Sequence, residues 1–234
     1  MNEIKFIKID STNEYIKRQY KLLDNYTFVS AKSQSNGHGR FNRKWQSKPN
    51  KNLLFSLLIK DIKNVKSITD YPLIAGISVY QALVSLNIKD VKIKWPNDIY
   101  VSGKKIAGIL VESSVSENNI NYIIIGIGLN INERKFRGLN ATSIRNELDK
   151  KVSIKKIKEI LYNKLLYNIE NPNYNEFLNI FRNNNYLINK TCYATIRNAK
   201  TKIKVLDILD DFKLKVENEF GEIESIISDE ITFS

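Results

Sequence analysis

An apolar stretch that carries two glycines constrains the fold more than any other part of this chain. Residues 122–132 read Tyr-Ile-Ile-Ile-Gly-Ile-Gly-Leu-Asn-Ile-Asn, and residues 53–59 form a second, nearly continuous apolar run. Runs of this length with so little polar alternation are typical of strands that are covered on both faces. We therefore predict a sheet in which residues 122–132 are a central strand and residues 53–59 are another buried strand.

Shorter patterns add further strands and several helices. Ser11 and Glu14 have the spacing of a capping box, which predicts that a helix begins there. Residues 115–121 are polar and are predicted to be a loop. Period-two or apolar patterns predict the remaining strands, and apolar residues at helical spacing predict the other helices. The remaining predicted strands are 4–9, 26–31, 91–95, 99–101 and 106–112. The other predicted helices are 71–86, the segment from Ile154 to Leu165, and about 173–185. Hairpin strands followed by helices indicate an α+β fold.

The pattern of apolar and polar residues changes after Leu187. Four short alternating segments follow, separated by turn residues, at 191–197, 202–209, 212–217 and 222–227. Regular short strands with turn signals predict a small all-β barrel. We therefore predict two domains, residues 1–187 and residues 188–234.

Composition excludes several classes of protein. The single cysteine, Cys192, rules out an intramolecular disulfide and a multi-cysteine metal site, and it is interpreted as a small buried hydrophobe. The start has no signal-peptide pattern and no apolar run could span a bilayer, so the expected location is the cytoplasm. The 37 Lys and Arg against 25 Asp and Glu give a net charge of +12. This charge indicates either an anionic partner or a general Lys/Asn/Ile bias, because no dense basic block stands out.

A basic, glycine-containing stretch at residues 34–45 follows the predicted strand 26–31. It holds Gly37 and Gly39, three cations, the only histidine, His38, and a closing Trp45. Glycine allows close approach to a ligand, and arginine offers a permanently charged fork for phosphate or carboxylate. The stretch is predicted to be a loop, and taken alone it is equally a solvated surface loop or a phosphate cradle.

Three further segments carry polar groups beside buried strands. Residues 11–13, Ser-Thr-Asn, either cap a helix or hold a polar ligand. Residues 96–98, Pro-Asn-Asp, either make a turn or bind magnesium or a substrate. Lys105, in a turn before a strand, is either solvated or a point charge for an anion. Gly126-x-Gly128-x-Asn130 lacks the third glycine of a dinucleotide fingerprint, so a Rossmann fold is rejected.

Taken together and in order, these segments resemble the biotin protein ligases. The matching segments are residues 11–13, Gln34 with residues 37–40 and 43–45, then 94–98, 105–112 and 126–132. The resemblance covers essentially the whole chain. It implies a mixed-sheet catalytic domain of the biotin/lipoate ligase type with a small SH3-like C-terminal β-barrel.

The resemblance also implies a chemistry and residue roles. ATP activates biotin as biotinyl-AMP with the help of Mg²⁺, and biotin then passes to a lysine of the biotin carboxyl carrier protein of acetyl-CoA carboxylase. Lys105 and Arg40 would be catalytic, and both would contact biotin and the adenylate. The further biotin-binding residues would be Ser11, Thr12, Asn13, Gln34, His38, Gly39, Gly108 and Gly128. The further adenylate-binding residues would be Trp45, Asn97, Asp98 and Asn130, with Asp98 as a magnesium ligand.

Two features depart from the family pattern. The family loop commonly reads Gly-Arg-Gly-Arg, and here His38 replaces the first arginine. This predicts a leakier intermediate or a pH-sensitive loop, and release of biotinyl-AMP by His38→Arg against the parent would test it, with equal retention removing the idea. The chain also begins at the predicted first strand, so DNA-binding repression is not expected. No membrane partner is expected, and the protein could be a monomer or a homodimer.

Two alternatives remain open from the sequence. A lipoate or octanoate ligase of the same superfamily would need a different loop for its acyl chain. A basic nucleic-acid-binding module would use the net charge and the C-terminal strands, and it predicts salt-dependent affinity without adenylation. This second alternative leaves Lys105 and the glycines of residues 126–130 unexplained.

Overall fold

A computed structural model describes residues 2–60, 67–116, 119–196, 199–226 and 231–232. Its strands are β1 (Glu3–Phe6), β2 (Phe28–Ala31), β3 (Leu53–Ile59), β4 (Val91–Lys94), β5 (Asp98–Val101), β6 (Lys104–Ser116), β7 (Asn119–Leu129), β8 (Thr191–Ile196), β9 (Ala199–Ile208), β10 (Leu214–Asn218), β11 (Ile223–Ile226) and β12 (Ile231–Thr232). Its helices are α1 (Thr12–Gln19), α2 (Asp70–Val84), α3 (Ile144–Leu148), α4 (Ile154–Glu170) and α5 (Tyr174–Asn183), with a short 3-10 turn at Arg40–Asn42. The α+β class is confirmed.

The larger sheet has seven strands in the order β1-β2-β3-β7-β6-β5-β4. Only the β1–β2 pair is parallel, and the other neighbours are antiparallel. Strand β7 lies between β3 and β6, and every residue of β3 is buried. The predictions of a central strand within 122–132 and a buried strand at 53–59 are therefore confirmed, although the central strand ends at Leu129.

Different structural elements pack against the two faces of this sheet. One face carries the main apolar core, to which Phe55, Leu57 and Ile125 contribute together with α2 and α4. The alternate residues face the other side, where α1 packs its Ile16 against Leu58 and neighbouring apolar side chains. Helix α1 covers only part of that face, including Gly126, and Gly108 and Gly128 lie beyond the helix.

The second sheet has the order β11-β10-β9-β8-β12, and all its pairs are antiparallel. The prediction that these strands close into a barrel is wrong. No pairing joins β11 to β12 within the described residues, so the sheet is open. Closure would need a ladder between these two edge strands, which comprise four and two of the described residues. Apolar residues of both sheets share one core, and the boundary near residue 188 stays a prediction.

The remaining differences from the sequence predictions concern element ends. The loop predicted at 115–121 is wrong, because β6 runs to Ser116 and β7 starts at Asn119. Helix α3, capped by Ser143, was not predicted. Arg197 and Ile227, the last residues of two predicted C-terminal strands, lie outside the described residues. Within the described residues, no helix is long and apolar enough to cross a membrane.

Candidate active site

One cleft on the partly uncovered face of the larger sheet brings most of the predicted site residues together. Among those that line it are Ser11, Thr12, Asn13, Gln34, His38, Gly39, Arg40, Trp45, Asn97, Asp98, Lys105, Gly108 and Gly128. These residues come from the start of α1, from the loop after β2, from the β4–β5 connection and from β6 and β7. Asn130 does not belong to this lining.

The end of the cleft beside α1 is a buried polar pocket. Ser11 is the N-cap of α1, with its hydroxyl 3.5 Å from the Glu14 backbone nitrogen. Thr12 donates from its backbone nitrogen and its hydroxyl to Gln34 Oε1, at 2.6 and 2.9 Å. The capping-box prediction and the ligand-pocket prediction are therefore compatible, because the cap orients side chains that also line the cleft.

Ser56 and Glu112 support this pocket through bonds to its lining residues, and neither was predicted as a site residue. The Ser56 hydroxyl lies within hydrogen-bond distance of Thr12 Oγ1, at 2.7 Å, and of Asn13 Oδ1. The Asn13 amide donates to Glu112 Oε2 at 2.7 Å. Ser56 is the one polar residue of the apolar run 53–59, and that interruption was the available signal.

Three glycines form the floor of the cleft. Gly126 lies under Asn13, and a Cβ placed there would clash with Asn13 Oδ1. Gly108 and Gly128 face each other across β6 and β7, under the indole of Trp45. A Cβ at Gly128 would lie 2.5 Å from that ring, and one at Gly108 would lie 2.9 Å from it. Only glycine leaves room here for a flat group to rest on the sheet.

The opposite end of the cleft is cationic. Lys105 Nζ lies 2.6 Å from Asp98 Oδ1 and 5.6 Å from the centre of the Trp45 ring. Lys94 is the cross-strand neighbour of Asp98 in the register of β4 and β5. Burial lowers the pKa of the Lys94 amine, Asp98 opposes this effect, and Lys105 adds to it. Asp98 is the only carboxylate among the described residues of the lining, which also contains Arg40, Arg43 and Lys44. Such an excess of fixed positive charge attracts anions.

The predicted loop at residues 34–45 folds back on itself at the mouth of the cleft. Gly39 donates its backbone N–H to the Arg43 carbonyl at 2.8 Å, and Trp45 donates to the Gly37 carbonyl at 2.9 Å. Phe41 has a φ of 54° and is 60% exposed, and the Arg40 guanidinium lies 5.0 Å from its ring. We refer to residues 37–45 as the lid.

His38 connects the lid to α1. Its Nδ1 lies 3.2 Å from the Asn36 carbonyl oxygen, and its Nε2 lies 4.0 Å from Glu14 Oε1. Glu112 is the third ligand-bearing side chain nearby, and the three ligand atoms lie within 4.8 Å of one another. Lys17 Nζ bonds both carboxylates, at 2.6 and 2.8 Å, so an ammonium already occupies the place that a metal cation would take.

Asn97 belongs to the lining of the cleft, and Asn130 lies outside it. The Asn97 side chain donates to the Ile109 carbonyl at 2.9 Å, and the Asn97 carbonyl accepts from the Ile109 N–H at 2.8 Å. Asn97 therefore fastens the β4–β5 connection to β6. Asn130 is buried, and its Oδ1 has no hydrogen-bond partner among the described residues.

Cys192 is excluded as a nucleophile by its surroundings. It is 2% exposed, and burial raises the pKa of its thiol to about 11. A thiol in this state has very little of the reactive thiolate at neutral pH. The interpretation of Cys192 as a buried hydrophobe is confirmed.

Comparison with known proteins identifies the family. The family model described as the biotin/lipoate A/B protein ligase family matches residues 5–130, which is more than half of the chain. The chain belongs to this family. Within the family, its similar solved structures include a biotin protein ligase from Aquifex aeolicus in complex with biotin and ATP. That structure has a TM-score of 0.85 and 26% identity, and the match covers 99% of this chain and 97% of that one.

Two curated relatives are similar at the sequence level. The bifunctional ligase/repressor BirA of Escherichia coli is 35% identical over 127 residues, covering 54% of this chain and 40% of the relative. The biotin–[acetyl-CoA-carboxylase] ligase of Paracoccus denitrificans is 32% identical over 126 residues, covering 53% and 52%. The matches to BirA proteins and to this ligase thus span between a third and about half of the relatives' length.

Proposed function

We propose that this protein is an ATP-dependent biotin protein ligase, which forms biotinyl-AMP and transfers biotin to a lysine of a biotin carboxyl carrier protein. One observation carries the proposal. A single cleft joins the polar pocket of Thr12, Asn13 and Gln34 to the Lys105–Asp98 pair across a glycine floor. Such a cleft suits a substrate with a polar ring at one end and a carboxylate at the other.

The first step joins two anions, so the cations at one end of the cleft are central to it. A carboxylate oxygen of biotin attacks the α-phosphorus of ATP, the new O–P bond forms, and the bond to the β-phosphate oxygen breaks to release pyrophosphate. Lys105 stabilises the charge that builds up on the α-phosphate oxygens. Fixed cations also hold the two reactants together, which lowers the entropic cost of their encounter.

The second step consumes the mixed anhydride. The amine of the carrier lysine attacks the acyl carbon, the C–O bond to phosphate breaks, and AMP leaves with the electron pair. The attacking amine loses a proton, and Asp98 is the carboxylate of the cleft that can accept it. The lid, with Arg40 and Trp45, covers the intermediate and keeps water from hydrolysing it.

Magnesium fits this site only as an ion shared with the nucleotide. Asp98 is the only carboxylate among the described lining residues, and its Oδ1 faces Lys105. Mg²⁺ is commonly held by one or two carboxylates together with substrate phosphates. Asp98 would therefore hold the ion jointly with phosphate oxygens, and the ion would neutralise charge on the triphosphate.

The polar pocket favours biotin over lipoate or octanoate. The ring end of biotin is a cyclic urea with one strong acceptor and two N–H donors, whereas the other two acyl groups end in apolar atoms. Beyond its bonds to Ser56 and Glu112, the Asn13 amide has one further N–H and one further lone pair, and burying these against an apolar chain would cost free energy. A carrier of acidic character would suit the net charge of +12. The location proposed with this function is the cytoplasm.

ATP–pyrophosphate exchange tests the proposal directly. We expect exchange that depends on biotin and is absent with lipoate or octanoate, followed by transfer of labelled biotin to a carrier domain. Exchange that depends on lipoate instead would contradict the assignment to biotin. Salt-dependent nucleic-acid binding without any exchange would favour the binding-module alternative.

Replacing Arg40 with alanine should loosen the lid without unfolding the protein. Arg40 lies in the 3-10 turn of the lid and lines the cleft, and it is half-buried. We expect biotinyl-AMP to leave the enzyme about tenfold or more faster, because a charge-assisted contact to phosphate is worth about 1.5–3 kcal/mol. Release of labelled biotinyl-AMP from the preformed complex measures this rate. Unchanged release with unchanged carrier biotinylation would remove Arg40 from the site.

A further inference from the structure

The amide of Asn13 is held at both of its ends. Oδ1 is in contact with the Ser56 hydroxyl, and Nδ2 donates to Glu112 Oε2 at 2.7 Å. The two ends of an asparagine amide have nearly the same shape, so hydrogen-bond partners decide which end points where. The Ser56 hydroxyl can donate or accept and therefore tolerates either end, whereas the carboxylate of Glu112 can only accept. Glu112 therefore selects one of the two orientations.

Glu112 reaches this position from the same face of the sheet as the glycine floor. It lies on β6 two residues after Leu110, which pairs with Gly126 across to β7. Its second oxygen, Oε1, accepts from Lys17 Nζ at 2.8 Å, and Lys17 also bonds Glu14. Glu112 therefore serves two donors with two acceptor oxygens, and its side chain is 24% exposed.

We infer that Glu112 is a positioning residue for the acyl substrate, because it fixes which end of the Asn13 amide faces the pocket. The inference rests on the proposed function, in which this pocket receives the cyclic urea of biotin. With the amide reversed, a donor of Asn13 would face Ser56 and an acceptor would face the carboxylate of Glu112. The pocket would then present the wrong hydrogen-bonding pattern to the urea.

Glutamine at position 112 is the informative substitution, because it keeps the shape of the side chain and removes one acceptor. In Glu112→Gln, the single amide oxygen cannot serve both Asn13 and Lys17. The charged Lys17 is the stronger donor and takes the oxygen. The new NH₂ group then faces Asn13 Nδ2, which is a donor-to-donor contact that drives the Asn13 amide to reverse.

Removing Lys17 should reverse this defect. In the double variant Lys17→Met with Glu112→Gln, the glutamine oxygen is free to turn toward Asn13 and accept from Nδ2. Lys17→Met alone is the matched control, because Glu112 keeps the oxygen that Asn13 uses. A role limited to the Lys17–Glu112 ion pair would give the opposite pattern, in which Lys17→Met is as harmful as Glu112→Gln and the double variant recovers nothing.

The experiment measures KM for biotin and KM for ATP in ATP–pyrophosphate exchange by the parent and the three variants. For Glu112→Gln we expect KM for biotin to rise about tenfold, as for loss of a charge-assisted hydrogen bond. KM for ATP should stay within about twofold, since the affected group lies at the other end of the cleft. Lys17→Met and the double variant should stay within about threefold of the parent for biotin. Thermal unfolding of each variant checks that all are folded.

Three results would overturn the inference. These are an unchanged KM for biotin in Glu112→Gln, an equal rise in Lys17→Met, and a double variant no better than Glu112→Gln. Failure of the proposed function is recognised separately, because the parent itself would then show no biotin-dependent exchange, and the inference would fall with it.

Discussion

Lys105→Ala is expected to lower biotin-dependent ATP–pyrophosphate exchange by about two to three orders of magnitude, the usual cost of removing one group that stabilises developing charge. Lys105 is the cation that lies at once beside Asp98 and over the Trp45 ring, at the start of the glycine floor. Its loss removes positive charge where the α-phosphate oxygens would lie, and it leaves Asp98 to repel both anionic reactants. Exchange rates at saturating biotin and ATP measure the effect.

Lys104→Ala is the matched control for this substitution. Lys104 is adjacent at the start of β6 and is exposed, and it does not line the cleft. It carries the same charge, so the comparison separates a local role from the general effect of net charge. We expect parental exchange for Lys104→Ala and an unchanged melting temperature for both variants. Equal activity of the two variants would refute the assignment of Lys105.

Gly126→Ala is expected to damage both stability and biotin binding. The new methyl would clash with Asn13 Oδ1 and lie 3.0 Å from its Cγ, and Asn13 cannot retreat because Ser56 and Glu112 hold it. Overpacking of this kind costs about 1–3 kcal/mol, which lowers the melting temperature of a chain of this size by roughly 2–12 °C. Displacing Asn13 should also raise KM for biotin about tenfold or more.

Gly128→Ala provides the contrast. Its methyl would meet Trp45, at 2.5 Å from Cε2, but Trp45 belongs to the lid and not to a fixed network. The indole can move outward, so we expect stability within about 1 kcal/mol of the parent. Calorimetry of the two variants side by side makes the comparison. Equal losses of melting temperature would show that the Asn13 network is no more rigid than the lid.

The sequence predicted the architecture well where a single pattern was strong. The apolar runs at 53–59 and 122–132 identify strands because only burial on both faces tolerates such composition. The polar stretch 115–121 was wrongly predicted to be a loop. The ends of β6 and β7 extend there as a two-stranded ribbon beyond the core, where burial no longer selects apolar residues. Barrel closure depends on pairing between edge strands, which no local pattern specifies.

The candidate site was predicted by resemblance, and its supporting residues were not predicted. Motif order places Thr12, Gln34 and Lys105 in one site without any knowledge of distance. Ser56 escaped notice because its role depends on register, which sets it opposite Gly126 on β7. Glu112 lies 99 residues from Asn13, and nothing local connects them. The bond from the Asn97 amide to the Ile109 backbone was not predicted, because only the folded chain defines this contact.

The contact between the two sheets restricts which C-terminal segments could be exchanged into this protein from a relative. Trp95, just before the segment that bears Asp98, donates its indole N–H to the Phe212 carbonyl at 3.1 Å. The acceptor is a backbone atom in a turn with a φ of 63°, so this bond depends on the path of the turn and not on the identity of a side chain. A tail exchanged from a relative near residue 188 would therefore have to reproduce the geometry of this turn if Trp95 is to keep its acceptor.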